Sequence, residues 1–83
     1  MVKVHEEGGF RAYVHSPPRE HETPHVHVES VNGGEVLILL GDDRMPPSLW
    51  QNHHMKAPDA RTALRIVGEN QEQFLSEWRR LHG

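Results

Sequence analysis

Histidine sets this chain apart: eight occur in 83 residues, and three of them fall in the run His21-Glu22-Thr23-Pro24-His25-Val26-His27. Imidazole titrates near neutrality, carries protons in acid–base catalysis and binds transition metals through a ring nitrogen. From His21 to His25 the run reads H-E-x-x-H. In zinc peptidases that pattern works because histidines at i and i+4 share a helical face, with the intervening glutamate as general base. Pro24 argues against that geometry, since its ring removes a helical hydrogen bond and pushes Thr23 out of the α region. The residues that follow, His25-Val26-His27-Val28, alternate as a strand does.

On a strand, His25 and His27 emerge on one face with Cα atoms about 6.5–7 Å apart. Two such rings are able to converge on one ion. His21 is then a third ligand, and Glu22, Glu29 or His15 a further donor. Neutral imidazole suits zinc or another divalent transition metal and leaves a position for water or substrate. This reading makes the chain a divalent-metal-dependent hydrolase, with Glu22 as general base on a metal-bound water. A pH switch built on clustered histidines is a variant of it. Two other readings stand beside it. In one the histidines are structural and hydrogen-bond a proline-bounded loop to a sheet edge. In the other, Tyr13, His25, His27 and Trp50 form a polar–aromatic face for a small protein partner or for self-association. No clear nucleophile, phosphate loop or carboxylate pair accompanies the histidines, which favours binding over catalysis. The pair His53-His54 is expected in a loop, solvated.

The elements that position these residues are legible from periodicity. Phe10, Ala12 and Val14 alternate with Arg11, Tyr13 and His15, which predicts a strand over 9–15. A second strand is expected over 24–31, with Val26 and Val28 on one face and His25, His27 and Glu29 on the other. Asn32-Gly33 signals a two-residue type I′ hairpin. The strand expected over 35–40 is apolar on both faces and so should be flanked or covered on each side. A fourth strand over 48–52 is possible after Met45-Pro46-Pro47. Pro58 and Asp59 open a helical segment. Ala60, Ala63, Leu64, Val67, Phe74, Leu75, Trp78 and Leu81 share a stripe about 120° wide, the core-facing pattern. Drawn straight over 59–82, that helix would be about 36 Å long, whereas a domain of this size has a radius of gyration of about 12 Å. A break is therefore expected at 68–71, giving helices over 59–69 and 71–82, with Asn70-Gln71-Glu72-Gln73 as a capping box. The expected fold is α+β: three or four mainly antiparallel strands with a helix or kinked helix pair packed on one face.

Composition bounds the function. One small domain is expected, near the lower size limit for a single core. The absence of cysteine excludes disulfides and Cys-type zinc sites. Nine Lys and Arg against twelve Asp and Glu make nucleic acid an unlikely partner on charge. Arg61, Arg65, Arg79 and Arg80 are interleaved with Glu69, Glu72 and Glu77, as on a solvated helix face. The longest apolar run, Val36-Leu37-Ile38-Leu39-Leu40, is far short of a membrane span, and the first residues lack a signal-peptide pattern. A cytoplasmic location is the expectation.

Several of these segments together resemble one family. They are Gly9-Phe10-Arg11, His21-Glu22-Thr23-Pro24-His25-Val26-His27-Val28, Met55-Lys56, Arg61-Thr62-Ala63-Leu64-Arg65-Ile66-Val67 and the closing Leu75-Ser76-Glu77-Trp78-Arg79-Arg80-Leu81-His82-Gly83. The chain resembles domain-of-unknown-function family 4160, from about residue 9 onward, departing at Thr23, where that family more often has proline. The family has no established activity. The resemblance implies a short, stand-alone bacterial protein whose gene lies beside that of another small protein, as in toxin–antitoxin pairs. It implies a binding component of such a pair, with Pro24-His25-Val26-His27-Val28 as its signature face.

Overall fold

A computed structural model describes residues 2–14, 23–42 and 44–82, with residue 82 described by its backbone alone. Five strands and two helices follow one another: β1 (Val2–Glu7), β2 (Phe10–Val14), β3 (His25–Ser30), β4 (Glu35–Leu39), β5 (Ser48–His53), α1 (Ala57–Glu69) and α2 (Gln71–His82). The strands form one sheet in chain order, each antiparallel to the next. The fold is thus α+β, with five strands where three or four were expected.

The additional strand is β1. Its Val2-Lys3-Val4 alternation is interrupted by a register shift between Lys3 and His5, which hides it from a period-two reading. A local signal does exist. Gly8 and Gly9 both take positive φ, +54° and +85°, and a Gly-Gly pair is a two-residue hairpin turn.

Alternation places Phe10, Ala12, Val14, Val26, Val28, Val36 and Ile38 on one face of the sheet, all buried. The helices complete this core with Ala60, Ala63, Ile66 and Val67 from α1 and Phe74 and Trp78 from α2. Leu64, Leu75 and Leu81, expected in the same stripe, are only partly buried, whereas Ile66 lies outside that stripe and is buried. The chain breaks at Asn70, so each helix sets its own phase on the sheet. No capping box forms. The Asn70 side chain donates back to the Ile66 carbonyl, closing the end of α1, and Gln73 donates to the Val4 carbonyl in β1. The radius of gyration is 11.8 Å. Among the described residues no helix is long and apolar enough to cross a membrane.

The β3–β4 turn also differs from the expectation. Positive φ falls at Gly33 and Gly34, not at Asn32, and the Gly33 amide donates to the Ser30 carbonyl. The connection is therefore four residues long. Gly34 is required there, because a Cβ would stand 2.5 Å from the Met55 backbone. That crowding packs the turn against the end of β5, where His54 takes φ +68° and Asn52 exchanges two hydrogen bonds with Met55.

Candidate functional site

His25 opens β3, so the segment entering it is extended rather than helical, as Pro24 requires. His21, Glu22 and His15 lie outside the described residues. His25 itself is 4% exposed, far more enclosed than a half-exposed strand residue. Its ring stands 5.3 Å from Trp50 and 5.2 Å from Trp78, between β5 and α2. Its Nδ1–H donates to the Thr23 carbonyl at 2.9 Å, because a carbonyl only accepts. In the neutral ring this leaves Nε2 as the acceptor.

His27 lies 6.0 Å from His25, centroid to centroid, which keeps the two rings neighbours as strand spacing dictates. An imidazole bound at about 2.0–2.1 Å has its centroid about 3.2 Å from the ion, so two rings at a tetrahedral angle would lie about 5 Å apart. The observed spacing suits a wider angle than zinc prefers. Among the described residues no three His, Asp or Glu side chains group as a metal site.

Register brings the other expected residues alongside. Tyr13 is directly opposite His27, and its row continues to Lys3 on one side and to Leu37 and Gln51 on the other. Tyr13, His25, His27 and Trp50 are therefore close neighbours through two pairings, Tyr13 with His27 and His25 with Trp50. The next row crosses the sheet as Glu6, Arg11, Glu29, Glu35 and His53. Glu29 and Glu35 face each other, a like-charge pair that is unfavourable alone. Arg11 relieves it from one side at 3.9 Å from Glu29, and His27 Nδ1 stands 3.8 Å from Glu35. No sequence signal marks this row, since it exists only through register. At its outer end Lys3 and Glu6 pair at 2.8 Å, and their hydrogen bond and mutual charge raise the lysine pKa and lower the glutamate's.

His53 is not in a loop; it ends β5 and shares a 2.9 Å hydrogen bond with Gln51. All six residues of β5 are exposed. Just before it, Met45 is 64% exposed, and within it Leu49 and Trp50 are 45% and 46% exposed. An apolar groove of about 420 Å³ runs beside this stretch, with Pro24, Leu39, Met45, Pro46 and Trp78 in its walls. The helix charges behave as a solvated face: Arg65 pairs with Glu69 at 2.7 Å and Arg80 Nε with Glu77 at 3.1 Å.

An antiparallel five-stranded meander backed by two helices, with an imidazole–indole cluster beside an exposed edge strand, defines a small α+β domain. Residues 9–79 match the family model for the domain of unknown function DUF4160, and the chain belongs to that family. Neither a curated protein nor a solved structure matches the chain.

Proposed function

We infer that this chain is a non-enzymatic protein-binding module, the binding component of a toxin–antitoxin-like pair in the bacterial cytoplasm, and that its partner is a small protein. The supporting observation is the apolar surface of residues 45–50. Single exposed apolar residues are ordinary. Here Met45, Leu49 and Trp50 fall within six residues, next to an apolar groove, and grouped exposure of that kind marks interaction surfaces. Trp50, with the half-buried Tyr13 and His27 beside it, supplies the aromatic and polar groups that such surfaces favour, while the buried His25 packs behind Trp50 and supports it. Co-expression with the product of the adjacent gene, followed by light scattering on the purified material, tests this. A complex is expected that is lost in the Met45→Ser, Leu49→Ser double variant. No complex at concentrations up to about 100 µM refutes the reading.

A further inference from the structure

We propose that the partner seats a basic side chain, a lysine or an arginine, in a depression over Glu29 and Glu35 in the middle of the sheet. This rests on the binding-module reading and adds the chemistry of the partner. Both helices pack on the sheet face that carries Val26, Val28, Val36 and Ile38. On the opposite face Arg11, Tyr13, His27, Glu29, Glu35 and Leu37 are half-buried, whereas Ala12, Val28 and Val36 between them are buried. A strand that is apolar on both faces, as β4 is, belongs under cover on each side. The helices cover one side of it, and Leu37 faces the other.

The charges on this face do not balance. Lys3 and Glu6 satisfy each other at 2.8 Å, which leaves Arg11 against both Glu29 and Glu35 in the row that register makes. The two carboxylates stand directly opposite each other, and among the described residues neither accepts a hydrogen bond. Arg11 is 3.9 Å from Glu29, beyond hydrogen bonding, and its Nε is itself buried without a hydrogen-bond partner among the described residues. His27 Nδ1 is 3.8 Å from Glu35, and an unprotonated imidazole adds no charge there. Unbonded groups of both signs side by side are uncommon in a finished structure and mark a place that something else completes. Arg11, Glu29, Glu35, His53 and His54 line a depression of about 440 Å³ at this point. Among the described residues no three His, Asp or Glu side chains group as a metal site, so the cation that fits is a side chain whose N–H groups donate to both carboxylates. Glu35 pairs with His53, four residues along β5 from Leu49. That is about 13 Å at the rise of a strand, so one interface of ordinary size spans this depression and the apolar surface of residues 45–50.

Glu35→Gln separates this role from a structural one. In the isolated chain it removes the like-charge contact with Glu29, so the melting temperature should rise by about 1–5 °C. Calorimetric titration with the purified product of the adjacent gene, at about pH 8 where an ordinary imidazole is neutral, should show affinity at least about tenfold weaker. Glu72→Gln makes the same charge change on exposed α2 and should leave affinity within about twofold of the wild type. An unchanged or lower melting temperature for Glu35→Gln overturns the proposal, because the carboxylate is then already satisfied within the fold. Affinity that ignores Glu35→Gln, or falls equally with Glu72→Gln, overturns it too. If that same complex is lost in the Met45→Ser, Leu49→Ser variant, the binding-module reading stands without it. No complex with the wild-type chain ends both.

Discussion

Replacing His25 by alanine and by phenylalanine separates a structural histidine from one kept for chemistry. The ring is 4% exposed, so nearly all of its carbon surface is withdrawn from water. About 100 Å² of such surface is worth about 2.5 kcal/mol at 25 cal/mol/Å², and about 2 kcal/mol once the compactness of the unfolded chain is allowed for. The bond from Nδ1 to the Thr23 carbonyl adds about 1 kcal/mol. The ring contacts at 5.3 Å with Trp50 and 5.2 Å with Trp78 add about 0.5–1 kcal/mol more. His25→Ala should therefore cost about 3–4 kcal/mol, a large share of the roughly 4–12 kcal/mol expected for a chain of this length. His25→Phe keeps the buried area and the ring contacts and loses the hydrogen bond. Thr23 is exposed, so water reaches its freed carbonyl and the cost should be about 1 kcal/mol. Urea unfolding followed by tryptophan fluorescence reads both, because the two tryptophans flank the mutated site. With a slope near 1 kcal/mol/M, the midpoint should fall by about 3 M for alanine and about 1 M for phenylalanine. A shift under about 0.5 M for alanine, or equal shifts for the two variants, refutes the reasoning.

Two further predictions concern the backbone around the site. Gly34→Ala combines positive φ, about 1–2 kcal/mol, with a Cβ only 2.5 Å from Met55 backbone atoms, and should cost about 3 kcal/mol or more. Gly33→Ala shares the positive φ but meets nothing within 4 Å, so thermal melts should show it to be the milder of the pair by about 2 kcal/mol. Gln71 accepts from the Gly41 amide and donates to the Asp42 and Met45 carbonyls, tying α2 to the chain that leads into β5. Gln71→Ala should cost about 1–2 kcal/mol and speed hydrogen exchange at the Gly41 amide; unchanged exchange there would show that the tie is idle.

Local sequence determined much of this protein. The two-residue period placed β2, β3 and β4, and Pro24 alone argued against a helix into His25, where the chain instead begins β3. Helical periodicity set against the size of the domain located the break at Asn70. These features are legible because each depends on backbone sterics or on side-chain spacing within one element. Tertiary structure decided the rest. Whether His25 is a ligand-like surface residue or an enclosed one depends on Trp50 and Trp78, which lie 25 and 53 positions further along the chain. Glu29 meets Glu35, and Tyr13 meets His27, only through strand register. Among the described residues β1 and β5 are the two edges of the sheet only through the order in which the strands pair. Alternation says which way a side chain points relative to its own strand. What it meets there is set by packing between elements distant in sequence, and for the histidine run that packing makes His25 part of the structure.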